Sequence, residues 1–222
     1  FLIIIFALFV RLYKIDSPIA DWHSWRQADT AAVTRNFIKE GFNPLLPKYD
    51  DMSTVSEVLM PNPSRFRFVE FPIYNIFVYP FYYIFGVNEL YHRLVSVIFS
   101  LGSAVLLFFI VKRFFGVATS LTATFVFSFL PYNVFFSRTT LPEPTFVFFS
   151  LGMVYFVDRW IWSANRQMGV WGFIFTSLAF LIKPWAIFFA LPLVYSVYQK
   201  ERKFRSIFKL KYLLFISASI LP

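Results

Sequence analysis

The chain has 222 residues, 58% of them hydrophobic and 33 of them phenylalanine, against the ~45–50% apolar content usual for soluble domains. A soluble core of this length cannot hide so much apolar surface, so the composition excludes an ordinary soluble domain and points to lipid as part of the solvent. The net charge is +9 and there is no cysteine. Disulfides and thiolate metal sites are thereby excluded, and the basic residues sit between apolar runs, a pattern of membrane topology rather than of nucleic-acid binding.

In chain order, the apolar residues 1–10 are followed by Arg11, Leu12 and Tyr13 rather than by a small-residue cleavage pattern, so they read as a truncated first span near 1–13. Residues 14–89 form an outer loop, and nine of the twelve acidic residues lie between 14 and 93. Within the loop, Ser24 and Gln27 fit a capping box, and Trp25, Ala28 and Ala32 share a face. With Gly41 as a stop, this predicts a helix over about 25–40 lying along the outer membrane surface. The run 71–88 carries Pro72 and Pro80 and is predicted to be an interfacial or re-entrant helix.

Spans are predicted near 90–111, 115–137, 140–158, 167–182, 184–199 and 210–222. Lys183-Pro184 is read as a tight corner. That choice puts Lys112, Arg113, Arg159, Arg166 and the six basic residues of 200–211 on one side, taken as cytoplasmic, against only Arg138 and Lys183 in the short loops opposite. Trp160 and Trp162 fall at the cytoplasmic interface. The final apolar run has not crossed by Pro222, so the chain is expected to be the N-terminal part of a larger protein.

Charges near a bilayer are costly unless paired or hydrated, so they mark candidate sites. The segment Asp21 to Thr30 packs Asp21, His23, Arg26 and Asp29 together with two tryptophans. Arg26 and Asp29 are three apart and are predicted to share a face, with Arg26 in a helical first turn that favours anions. A carboxylate beside a phosphate-binding cation suits sugar-phosphate transfer, the first as a base and the second for the leaving group. Further candidates are Arg138 and Glu143 in Arg-Thr-Thr-Leu-Pro-Glu-Pro, Lys183 at the corner, and Arg65, Arg67 and Glu70 among aromatics. Three of these sites fall on the outer side and predict one cavity opening outward. No Gly-rich phosphate loop, zinc motif or nucleophile elbow is present, so cytoplasmic nucleotide chemistry has no support.

The order and spacing of several motifs resemble the polytopic GT-C glycosyltransferases, in the branch of protein O-mannosyltransferases and aminoarabinose transferases (glycosyltransferase family 39-like). The resemblance rests on Trp25 to Gly41, on Glu70-Phe-Pro-Ile-Tyr74 through Arg93-Leu94, on Leu141-Pro-Glu143-Pro144 and on Leu181-Ile-Lys183-Pro184. It implies an all-α multi-spanning bundle whose outer first loop contains interfacial helices. It also implies transfer of a sugar from a polyprenyl-phosphate donor to a lipid, glycan or protein acceptor, outside the cell membrane and with inversion. Asp29, or else Asp21, would be the base. Arg26, Lys183 and Arg138 would bind the donor phosphate, Glu143 and His23 would orient groups or hold a divalent cation, and Glu70 and Arg67 would belong to a substrate loop. Arg26-Gln27 stands where the family carries an acidic pair, and Asp29 comes two residues later. The rival reading is a transporter or lipid-linked sugar flippase that uses the same cavity without chemistry.

Overall fold

The structure, a computed structural model, describes residues 2–19, 21–52 and 61–220, and among them the regular structure is helix, with turns and irregular segments between and one isolated antiparallel bridge, Lys48 to Phe66. The helices are α1 (Leu2–Leu12), α2 (Ser24–Glu40), α3 (Ile73–Phe85), α4 (Leu90–Phe129), α5 (Pro131–Phe136), α6 (Glu143–Ser163), α7 (Arg166–Ile182), α8 (Leu191–Glu201) and α9 (Leu210–Ile220). The spans expected at 1–13 and 210–222 and the loop 14–89 each run partly outside the described residues. Among the described residues, one helix, Leu90–Phe129, is long and apolar enough to cross a membrane.

That helix is two arms. Gly116 sits at φ 83° and ψ −178°, a left-handed conformation that glycine adopts without a Cβ penalty, and it interrupts the helical backbone. A straight helix of 40 residues would be about 60 Å long. Instead, Arg93 near its start donates to the carbonyl oxygens of Ile15 and Pro18, while the Ser128 carbonyl near its end accepts from Arg11 Nη1 at 2.9 Å. Both ends therefore meet the 11–18 segment, and the arms 90–115 and 117–129 fold back on each other. The break falls at Gly116 rather than at Lys112-Arg113, because the charges leave the helix intact and the glycine does not.

The sequence reading is corrected at three further places. Ser24 makes no side-chain cap; the helix is preceded by His23 in a left-handed conformation (φ 59°), and Gln27 points elsewhere. The buried residues of α2 include Gln27, Thr30, Ala31, Ala32, Val33 and Thr34; of the predicted Trp25-Ala28-Ala32 face Ala32 is buried, while Trp25 and Ala28 are exposed. The run 184–199 is not one helix. Pro184–Ala190 is a 3-10 helix and α8 starts afresh at Leu191, since Pro192 has no N–H to continue the ladder from below.

The core lies where α3 is wedged against α4, α6 and α7. Tyr74, Val78 and Tyr82 recur every four residues on one face of α3 and bury against Val95, Phe99, Phe149, Ala179 and Ile182. Polar bonds lock this corner to α2. His92, fully buried on α4, bonds Thr34 Oγ1 through Nε2 and the Tyr82 hydroxyl through Nδ1, each at 2.9 Å. Tyr74 donates to the His92 carbonyl, and Asn75 Nδ2 donates to the Thr30 carbonyl and to Thr34 Oγ1. The opposite end of α6 is held separately: Asp158 pairs with Arg113 and accepts from Ser196, and Lys200 donates to the Ile161 carbonyl.

Candidate functional site

Four separated segments bring five predicted residues into one ionic cluster. Arg26 comes from the first turn of α2, Arg67 and Glu70 from the extended segment before α3, Glu143 from the first residue of α6, and Lys183 from the residue after α7. Glu143 Oε1 pairs with Arg26 Nη2 and with Lys183 Nζ, both at 2.8 Å. Glu70 lies 3.7 Å from Arg26, 3.7 Å from Arg67 and 4.0 Å from Lys183. Glu70 and Arg67 are buried, whereas Arg26, Glu143 and Lys183 are partly open. Three cations face two carboxylates, a net charge of +1 that leaves room for one more anion. The Phe71 backbone N–H donates to the Leu181 carbonyl at 3.2 Å, which fixes the Glu70 strand beside the Lys183 corner.

Gln27, part of the predicted capping box, sets the register of this cluster. Its Nε2 donates to Asp21 Oδ1 at 2.6 Å and to the Trp22 carbonyl, and its Oε1 accepts from the Thr140 backbone N–H at 2.9 Å. The buried amide thus clips the start of α2 to the loop three residues before Glu143, and so places Arg26 opposite that carboxylate. A Ser-x-x-Gln pattern could not reveal this bond, because its partner lies 113 residues away. His92 was also missed: its tautomer-flexible ring is the only signal in sequence, and it needed three helices to become a linchpin.

The remaining predicted residues are distributed around the cluster. A cleft of about 370 Å³ opens beside it, lined by His23, Arg26, Ser100, Asn133, Glu143 and neighbours. An apolar cleft of about 350 Å³ runs along its other flank past Glu70, Phe71, Phe180, Ile182 and Pro184. Arg138 does not join: its guanidinium donates to the Lys14 carbonyl at 3.0 Å, and burial with Arg93 nearby pushes its pKa down. Asp21 is exposed and its carboxylate is already engaged by Gln27.

Asp29 departs from the expected shared face. It lines a separate cleft of about 360 Å³ with Ala28, Ala32, Arg35, Asp50 and Glu89, while Arg26 turns into the cluster. Residues three apart on a helix are offset by about 60°, and here that offset separates the two side chains into different clefts. Asp29 makes no hydrogen bond or ion pair among the described residues. Its pKa is raised, first by burial and further by Asp51 and Asp50, against the lowering effect of Arg67. Arg67 is thus within electrostatic reach of both Asp29 and Glu70.

Among the described residues no three His, Asp or Glu side chains converge, and the two carboxylates of the cluster are already occupied by three cations.

Comparison with known proteins matches residues 70–222, more than half of the chain, to the family described as dolichyl-phosphate-mannose-protein mannosyltransferase. No curated protein and no solved structure gives a match.

Proposed function

Because the chain belongs to the dolichyl-phosphate-mannose-protein mannosyltransferase family, a family of membrane glycosyltransferases, we propose that it takes a sugar from a polyprenyl-phosphate donor and transfers it, with inversion, to a hydroxyl of a lipid, glycan or protein acceptor. The observation that carries this reading is the Arg26–Arg67–Lys183 group, held by Glu70 and Glu143 with one positive charge in excess. Preorganised cations of this kind stabilise a leaving phosphate where its charge develops. The apolar cleft from Glu70 to Pro184 gives the polyprenyl chain a path away from the phosphate.

In the reaction, the acceptor oxygen attacks the anomeric carbon from the face opposite the phosphate. The bond from that carbon to the phosphate oxygen breaks, and the electron pair leaves with the polyprenyl phosphate toward Arg26 and Lys183. Asp29 takes the proton of the acceptor hydroxyl. It is preferred to Asp21 because its carboxylate is unengaged and burial raises its basicity, whereas Gln27 occupies Asp21. Asp29 and the cluster open on separate clefts, and Arg67, within electrostatic reach of Asp29 and paired with Glu70, marks where the bound acceptor has to span from one to the other. Glu143 and Glu70 hold the cations in place, and no step is routed through a metal.

The chain is read as multi-spanning, in the cell membrane, with this site on the extracytoplasmic face. The supporting observation is charge: the ten basic residues of the 112–113, 159–166 and 200–211 loops gather at the end of α6 opposite Glu143.

The test is turnover of radiolabelled polyprenyl-phosphate sugars by the full-length protein in proteoliposomes, wild type against Asp29→Asn and Asp21→Asn. Label appearing on an acceptor in wild type and Asp21→Asn, but not in Asp29→Asn that still binds donor, is the expected result. Flux of the lipid-linked sugar with no glycosylated product would replace the enzyme reading by the transporter reading.

A further inference from the structure

At the end of the fold remote from the ionic cluster, α6, α7 and α9 leave a slot of about 290 Å³. Its walls are Trp160, Gly169, Val170, Phe173 and Phe215, and the one charged residue lining it is Arg166 at the first position of α7. Trp160 stacks on Phe215 with ring centroids 4.9 Å apart, which closes the slot on the α9 side. Gly169 sets its depth: a Cβ there would come within 2.9 Å of the Trp160 ring. Val170 is about half exposed, so the slot opens outward rather than into the core.

Two donors at this slot have no acceptor. Arg166 makes no hydrogen bond or ion pair among the described residues, and neither does the Trp160 indole N–H. Every neighbouring loop on this end adds positive charge: Arg159, Lys200, Arg202, Lys203, Arg205, Lys209 and Lys211, relieved only by Asp158, which Arg113 and Ser196 already occupy, and Glu201, which Lys209 and Lys211 already occupy. An apolar slot with unpaired donors and a positive field is complementary to a molecule with an anionic head and a hydrocarbon tail.

We propose that this slot is a binding site for one anionic phospholipid of the cytoplasmic leaflet, with its phosphate on Arg166 and Trp160 and an acyl chain against Val170, Phe173 and Phe215. The site is separate from the transfer chemistry, about 25 Å along α6 from Glu143 by the rise of a helix, and it rests on the membrane reading alone. A bound lipid would brace α7 and α9 on α6 from outside.

The experiment is native mass spectrometry of the full-length, detergent-purified protein, titrated with phosphatidylglycerol, phosphatidylcholine and a polyprenyl phosphate. The wild type is expected to retain phosphatidylglycerol over phosphatidylcholine. Arg166→Gln should weaken phosphatidylglycerol about fivefold, the effect of removing one cation near a headgroup, while Arg202→Gln leaves it unchanged. Val170→Trp, which fills the slot, should abolish retention; if that variant melts early, the comparison of Arg166→Gln with Arg202→Gln stands by itself. Wild-type retention in Arg166→Gln overturns the site. Equal weakening in both arginine variants overturns it in favour of diffuse surface charge, and preference for polyprenyl phosphate assigns the slot to the donor lipid instead. None of these outcomes depends on whether sugar transfer is observed.

Discussion

Replacing Glu143 by Gln keeps shape and removes one negative charge from the centre of the cluster. Its Oε1 is ion-paired with both Arg26 and Lys183 at 2.8 Å and accepts a hydrogen bond from Lys183, so two charge-assisted contacts weaken together. Such bonds contribute ~1.5–3 kcal/mol each when well sheltered. The three side chains here are 19–30% exposed, and Glu70 stays within 4.0 Å to take up part of the positive charge. Screening therefore reduces the expected loss to about 1 kcal/mol per bond, or ~2 kcal/mol in all, a fall of ~4–8 °C in melting midpoint for a chain of this size. The assay is thermal unfolding in detergent of Glu143→Gln, Lys183→Met and the double variant. Because the two residues touch, the losses should be non-additive by roughly 1 kcal/mol. The same substitution raises the cluster from +1 to +2, so the affinity for a lipid phosphate should hold or rise while turnover falls. A Glu143→Gln protein with an unchanged midpoint and unchanged turnover would refute the reasoning, as would strict additivity in the cycle.

Asp29→Asn should abolish transfer yet melt no lower than wild type near neutral pH. Its folded pKa is raised, so its contribution to stability is present below the unfolded pKa and is lost as pH rises through the folded one; an amide escapes that loss. As a base Asp29 acts when ionised, so the rate should rise with pH through a limb above the ordinary carboxylate range, and Asp50→Asn should move that limb downward by removing a neighbouring negative charge; pH–rate profiles read both. His92→Phe leaves the buried Tyr82 hydroxyl without its partner and should cost ~1–3 kcal/mol in thermal unfolding. Gly152→Ala places a Cβ 1.9 Å from the Phe175 ring, which is itself packed on Phe148, Phe149 and Phe156, so α6 and α7 must part; ~1–3 kcal/mol is expected on the same measurement.

The members of the cluster were legible in sequence because charge is rare in an apolar chain. Arg26, Arg67, Glu70, Glu143 and Lys183 stand out against the residues around them, and the cost of leaving them unpaired forces them together. Their pairing was not legible. Spacing along α2 suggested an Arg26–Asp29 unit, but Arg26 found Glu143, 117 positions on, and Asp29 was left in its own cleft. Arg138 looked equivalent to Lys183 by hydropathy alone; a backbone carbonyl at Lys14 captured it. The helix over 25–40 was readable from its stop signal, while its packed face was not, because Gln27, Thr30 and Thr34 bury polar groups that only tertiary partners satisfy. The fold-back of 90–129 was placed at the charges rather than at Gly116, since sequence shows where a chain is polar before it shows where its backbone can reverse.

Arg11 binds the carbonyl of Ser128 across 117 residues of chain, and among the described residues its one other acceptor is the Ala7 carbonyl of its own turn. During synthesis that distant acceptor does not yet exist. At ~5–20 residues per second, the first helix waits roughly 6–23 s for it, with a guanidinium that hydrocarbon would reject. Helix α1 therefore cannot take up its described packing until the second arm of α4 has been made, although α1 is translated well before that arm.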